Sequence, residues 1–188
     1  MKNNERNYYR SLYEAARVIN STLEPADVLS KITEQTAKAL NAKACSLRLL
    51  DRAGKFLMPG AAYGLSKGYL RKGKVEVAKS GIDTEALAGK TVYIANACVD
   101  PRFQYRDEAK AEGLTSILVV PLKLEEKKII GVMRVYSAEE RTFTEEEIEF
   151  LSIMANLSAI AIENARLHQA LKSDYELLSA FQYQTFED

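Results

Sequence analysis

Apolar side chains at Leu12, Ala15, Ala16, Ile19 and Leu23 recur at helical spacing and predict a helix across residues 7–20. Pro25 suits the first turn of a second helix, because its missing N–H would have no intrahelical partner there. From Ala26 that helix carries Val28, Leu29, Ile32, Thr36, Ala39 and Leu40 on one stripe and turns Lys31, Glu34 and Lys38 outward. The pattern then becomes that of strands. Ala44–Leu50 and Lys55–Tyr63 flank Asp51-Arg52-Ala53-Gly54 and predict a hairpin. The first run is apolar at nearly every position, as a central strand covered on both faces should be. Pro59 and Gly60 predict a bulge or an edge in the second. Gly64–Lys74 reads as a solvated basic loop, followed by a short strand at Val75–Ala78.

Further on, Asp83 or Thr84 is expected to cap a short helix closed by Gly89, and Thr91–Ala95 reads as a strand. Asp100-Pro101 has the form of an N-cap and first-turn pair, predicting a helix that ends at Gly113. Ser116–Leu122 and Lys128–Tyr136 are rich in Val and Ile and predict a second hairpin around Glu125-Glu126-Lys127. Thr144-Glu145-Glu146-Glu147 is a capping box, with Phe143 and Ile148 as its hydrophobic staple. No proline or glycine follows. A helix from there to Phe181 would be about 57 Å long, against a breadth of roughly 38 Å for a domain of ~150 residues. It must overhang. Phe150, Ile153, Leu157, Ile160 and Ala161 form one stripe on it, and Ile148, Leu151, Ala155, Ile162 and Ala165 a second. One is expected to face the sheet and the other a partner. Leu167, Leu171, Leu178 and Phe181 keep an approximate heptad, interrupted by Asp174, consistent with a paired helix.

Composition narrows the function more than the fold. The 188 residues are 47% hydrophobic, enough for one domain with extensions. Lys+Arg and Asp+Glu both number 26, so there is no basic surplus to neutralise phosphates, and nucleic acid is not expected as a partner. Ile117–Val120, the longest aliphatic run, falls far short of the ~20 residues that span a bilayer. The opening residues lack the apolar core of a signal peptide. No membrane partner is expected, and the expected location is cytoplasmic. Cys45 and Cys98 are too few for a disulfide framework or zinc site, and His168 is the sole histidine, so no metal centre or catalytic triad is expected. Nothing in the composition names a cofactor.

The order of these elements, and the wording of the middle stretch, resembles a GAF domain. The residues that carry the likeness are Ala86-Leu87-x-Gly89-Lys90-x-Val92-x-Ile94, then Asp100-Pro101-Arg102-Phe103. They continue as Ala111-x-Gly113-x-x-Ser116-x-Leu118-x-Val120-Pro121-Leu122, Ile130-Gly131-Val132 and Val135-Tyr136. The resemblance covers roughly Pro25 to Leu167. It implies an α/β (α+β) fold, a six-stranded antiparallel sheet with the N- and C-terminal helices on one face. Short helices and loops around a small-molecule cavity would lie on the other. It also implies a sensory role and a homodimer formed through the terminal helices. The implied division is 1–24 as an N-terminal helix, 25–167 as the GAF domain and 168–188 as a C-terminal helix extension.

The family's subtypes leave marks that can be sought residue by residue. Asn96 is not followed by Lys, so the Asn-Lys-Phe-Asp-Glu signature of cyclic-nucleotide-binding members is missing. Cys98 is followed by Val99 rather than by a histidine, against a covalent bilin. The domain body has no histidine for haem or iron. Two cysteines do not make the three-cysteine set of free methionine sulfoxide reductases. The expectation is therefore a non-enzymatic, cytoplasmic sensory domain that binds an unidentified small molecule and signals through its terminal helices. The alternatives are a ligand-free dimerisation or adaptor module and a cysteine-based redox enzyme of the methionine sulfoxide reductase type.

Candidate ligand contacts are Phe103 and Tyr105, aromatics on a segment able to cap a pocket. Tyr63 and Ser116 are added as polar contacts, and Cys98 as a thiol able to meet a ligand or oxidant. Each also has a plainer reading: Phe103 and Cys98 as packing, Asp100 as a cap, and Arg102 and Arg106 as solvated side chains.

Overall fold

Alternation along the strands divides the molecule into two cores. In this computed structural model, which describes residues 2–20, 24–125 and 128–184, the elements run in the following order. They are α1 (Lys2–Ile19), α2 (Pro25–Ala39), β1 (Ala44–Leu50), β2 (Phe56–Tyr63), α3 (Lys67–Leu70) and β3 (Val75–Glu76). A 3-10 turn at Val77–Lys79 leads to α4 (Gly81–Leu87), β4 (Val92–Ile94), α5 (Arg106–Glu112), β5 (Ile117–Glu125), β6 (Lys128–Tyr136) and α6 (Glu145–Gln184). All six strands form one antiparallel sheet in the order β3-β2-β1-β6-β5-β4. The expected α+β fold is the observed one. The predicted turn residues Glu126 and Lys127 lie outside the described residues.

Cys45, Leu47, Met133, Val135, Leu118 and Val120 point to one face and pack against α1, α2 and α6. Their neighbours Ala44, Val132, Tyr136, Ile117 and Val119 point to the other face, into a second core with α3, α4 and α5. Period-2 side-chain alternation makes this division automatic once the register is set. On β2, the register shifts opposite Leu47, and the extra residues fall at Gly60 and Ala61. That is the bulge the Pro59-Gly60 pair predicts. β3 pairs with β2 only at Phe56 and Leu57, so Pro59 sits where β2 has no outer neighbour to miss its N–H.

The capping box opens α6 as expected. The Thr144 N–H donates to the Glu147 carboxylate at 2.9 Å, and the Glu147 N–H donates to the Thr144 hydroxyl at 3.3 Å. Such a cap contributes about 1 kcal/mol. With 40 residues, α6 extends about 60 Å. By length and composition it would also pass as a membrane span, but Phe150, Leu151, Met154, Ala155 and Ala159 are buried in the helix-side core. The two stripes read from sequence do not survive as drawn. The buried face takes Phe150 from one and Leu151 and Ala155 from the other, while Ile153 (39%) and Ile160 (46%) stay exposed with Leu167, Leu171 and Tyr175. The side chains of Leu178 and Phe181 lie outside the described residues.

Three local expectations are corrected. Asp83 is not a cap: α4 starts at Gly81, which puts Asp83 in its first turn and wholly buried. Asp100-Pro101 opens a turn rather than a helix, and α5 begins only at Arg106. The Asp100 carboxylate accepts from the Arg102 N–H at 2.9 Å and pairs with its guanidinium at 2.7 Å, which holds Asp100 below the usual carboxylate range. The basic loop at residues 64–74 is partly helical, since α3 is capped by Ser66. Gly113 closes α5 in the left-handed conformation (φ 68°), as its position predicts.

Candidate functional site

The face of the sheet that carries α3, α4 and α5 is not purely apolar. Arg48 on β1 and Arg134 on β6 interrupt otherwise apolar strands and are 3% and 1% exposed. Ser46 lies opposite Arg134, and Arg48 opposite Val132, so the two guanidinium groups start from adjacent rows of the same face. A buried charge must find a partner or cost several kcal/mol. Arg134 finds Asp83, whose carboxylate accepts from its Nη2 and also from the Ser80 hydroxyl at 2.6 Å. Burial alone would lower the Arg134 pKa, but the Asp83 charge outweighs it and holds it above its ordinary value. Among the described residues, no carboxylate pairs with Arg48. Its Nη1 donates to the carbonyls of Gly73 at 2.7 Å and Leu57 at 3.3 Å, tying the α3–β3 segment to the sheet. Burial and the nearby Arg134 charge lower its pKa.

Next to the arginines stand Tyr136, Tyr69 and Lys72. The Tyr136 hydroxyl lies 3.0 Å from Ser46 Oγ. Tyr69, on α3, meets the Tyr136 ring edge-on at a centroid separation of 6.2 Å. Their hydroxyls interact, yet the Tyr69 hydroxyl makes no hydrogen bond of ordinary geometry. Burial, then Tyr136, raises the Tyr69 pKa. Lys72 Nζ lies 3.3 Å from the Tyr69 ring centroid, 4.6 Å from that of Tyr105 and 5.9 Å from that of Phe103. Among the described residues it has no hydrogen-bond partner either. Burial, then the charges of Arg134 and Arg48, pushes its pKa down to about 6.

The helices hold this arrangement from outside. Glu112, at the end of α5, accepts from the Ser66 N–H at 2.6 Å and from the Ser66 hydroxyl at 2.5 Å. Ser66 in turn caps α3 through the Tyr69 N–H. Tyr69 and Lys72 are thus positioned jointly by α3, α5 and the Arg48–Gly73 bond.

The residues singled out from sequence divide between this cluster and the frame. Phe103 is buried in the second core, and Tyr105 is half-buried with its hydroxyl donating to the Lys74 carbonyl at 3.3 Å. Both ring the Lys72 ammonium. Tyr63 lies on the opposite face, packed against the helix-side core with Lys38 over its ring, because the register that pairs it with Cys45 turns it that way. Ser116 is buried and bonded to structural partners, donating to the Ala95 carbonyl at 2.7 Å and accepting from the Arg141 N–H at 2.9 Å. The Cys98 thiol contacts the Leu114 carbonyl at 3.5 Å. Cys45 is a free thiol in the helix-side core, pushed up in pKa by burial. Arg48, Lys72, Asp83 and Arg134 escaped the sequence reading. Their one signal was a charge inside each apolar strand, at Arg48 and at Arg134.

The comparisons with known proteins concern the family and the fold. The family model for the GAF domain matches residues 22–163. The chain belongs to the GAF domain family. Over 132 residues, 68% of the chain, it is 35% identical to a methyl sulfide methyltransferase-associated sensor of Methanosarcina acetivorans. Over 93% of its length it is 27% identical to a dual 3',5'-cyclic-AMP and -GMP phosphodiesterase 11A of Takifugu rubripes. It spans only 13% and 20% of those two relatives. Among solved structures, the GAF domain of a phosphoenolpyruvate-protein phosphotransferase from Coxiella burnetii superposes with a TM-score of 0.77 at 24% identity, covering 88% of this chain and 98% of that one. A free methionine-R-sulfoxide reductase from Neisseria meningitidis, in complex with its substrate, superposes with a TM-score of 0.69 at 18% identity, covering 86% and 91%. These likenesses show the fold.

Proposed function

We propose that this chain is a cytoplasmic sensory module. It binds a small molecule on the α3–α5 face of the sheet and reports binding through a homodimer of its terminal helices. The observation that carries the reading is a pair of buried cationic donors with no hydrogen-bond partner among the described residues, Lys72 Nζ and Arg134 Nε, with the Tyr69 ring against the first. Buried polar groups in folded proteins are nearly always satisfied, so a local concentration of exceptions marks a place for a further molecule. The family, and a relative that is itself called a sensor, agree with it.

Transmission has a structural candidate in Arg141. Its N–H meets Ser116 at the start of β5, its carbonyl accepts from the Tyr93 hydroxyl of β4 at 2.8 Å, and its guanidinium reaches the Leu40 carbonyl and the Glu147 carboxylate. A ligand that shifts the Cys98–Tyr105 segment next to β4 would move the first turn of α6 through these contacts. Such coupling requires that the ligand bind the two arrangements differently.

Native mass spectrometry of freshly purified protein tests the ligand. The expected spectrum carries a small-molecule increment that disappears on denaturation. A bare mass would favour the ligand-free adaptor, a reading supported by the way Phe103 fills the core. The dimer is tested separately. Ile153, Ile160 and Leu167 are exposed at seven-residue spacing on α6, with Leu171 four residues beyond, as a two-stranded seam requires. The double variant Ile160→Glu, Leu167→Glu is expected to sediment as a monomer at concentrations where the parent is a dimer, with unchanged helical content. A parent that is monomeric at high concentration ends the proposal.

A further inference from the structure

We infer that the cluster of Tyr69, Lys72 and Arg134 receives the anionic group of a small ligand, a carboxylate or a phosphate. The inference rests on the reading that this face binds a small molecule, and adds the chemical class of what is bound.

Charge balance is the first argument. Arg48, Arg134 and the Lys72 ammonium are buried in the layer between the sheet and α3–α5, and Asp83 is the fully buried carboxylate that faces them. Asp83 is committed to Arg134 and Ser80. Arg48 is met by neutral carbonyls, and Lys72 by the faces of aromatic rings. The cluster therefore holds more positive than negative charge, in a setting where unbalanced charge is expensive. A bound cation would add to that imbalance. An anion would remove it.

Hydrogen-bonding capacity is the second. The atoms left over are the Arg134 Nε–H, which is wholly buried, the Lys72 ammonium and the Tyr69 hydroxyl. Every one of them can donate; the Arg134 Nε–H can only donate, and so can Lys72 while it holds its proton. Charged donors of this kind match carboxylate and phosphate oxygens. They are neighbours: Lys72 Nζ stands 3.3 Å from the Tyr69 ring centroid, Tyr69 meets the Tyr136 ring edge-on, and the Tyr136 hydroxyl lies 3.0 Å from Ser46, which is paired with Arg134 across β1 and β6.

Lys72 is the adjustable member. The groups that act on it are Arg48 from β1, Arg134 from β6, Asp83 from α4, Glu108 from α5 and the adjoining Tyr69 ring. With the two arginines dominant among the charges, its ammonium gives up a proton near pH 6. An anion would draw the proton back, so binding takes up a proton and weakens as pH rises from 6.

The test is isothermal titration of the dimeric or monomeric parent with sulfate and with oxalate, whose charges do not change between pH 6 and 8. Glucose and tetramethylammonium serve as neutral and cationic controls. At least one anion is expected to bind, with affinity falling several-fold from pH 6 to pH 7. Preference between the two would tell a phosphate site from a carboxylate site. Lys72→Met should weaken that binding at least tenfold, and Tyr69→Phe, which removes one hydroxyl, severalfold with the fold intact. Binding unchanged in both variants, or no anion binding to the folded parent at millimolar concentration, overturns the inference. Binding of a control instead overturns it too, yet leaves the small-molecule reading standing; a bare native mass removes that reading as well.

Discussion

Asp83→Asn is expected to destabilise the fold by about 3–5 kcal/mol, the cost of leaving a buried charge without its counterion. Arg134 is 1% exposed and its Nη2 is directed at both Asp83 oxygens. Asparagine would keep one acceptor and place an amide group against the guanidinium. No solvent is at hand to absorb the difference. Adding Arg134→Met to the same chain should recover much of the loss, because removing both charges avoids the uncompensated one. Equilibrium urea unfolding of the parent, the single and the double variant gives the comparison. A single variant within about 1 kcal/mol of the parent would show that the pair is solvated and that the layer is not the closed environment described above.

Gly131→Ala is the other substitution with a large expected cost, roughly 2–4 kcal/mol. Gly131 is within β6, opposite Leu49 of β1 and Leu122 of β5. A Cβ there would stand 2.1 Å from the Arg48 carbonyl oxygen and 2.9 Å from Leu122 Cδ1. Leucine can turn aside, but a carbonyl in the middle of a sheet cannot without breaking the ladder. Gly54→Ala separates this effect from backbone preference. Gly54 has a φ of 70° and open space around it, so its substitution should cost only about 1 kcal/mol, from conformation alone. Equal losses for the two, measured by thermal or urea unfolding, would refute the steric account.

The features legible in sequence were those whose causes are local. A capping box satisfies its own N–H groups within one turn, a glycine past a helix end relieves strain at its own φ, and strand alternation follows from the pleat. Thr144, Glu147, Gly113 and the covering of β1 on both faces could all be read for that reason. Where one local signal serves two structures, the reading failed. Asp100 accepts the N–H two residues on, as an aspartate does in a turn as readily as at a helix start. Asp83, a residue fit to cap, has its role fixed by Arg134, far away in sequence. Lys72 looked solvated because neighbouring lysines are; its burial depends on α5, the Arg48–Gly73 bond and the aromatic rings around it. The candidate site is made of such distant pairings, so its aromatic rim at Phe103 and Tyr105 was visible and its charged floor was not.

The strand order has a consequence for how the chain reaches this structure. β1 pairs with β2 across a short turn, but its other neighbour is β6, and the pairing joins Ala44 to Tyr136. As the chain is made from its N-terminus, β1 and its hairpin partner are complete long before β6 exists. Through that interval one edge of the β1–β2 hairpin is bare, and Arg48 has no second layer to enclose it. The central seam of the sheet is also among its least local contacts, and closing it must meet the entropy of the intervening loop before any contact repays it. Committed folding therefore waits on the second hairpin, and the first half of the chain on its own is an open template for strand addition.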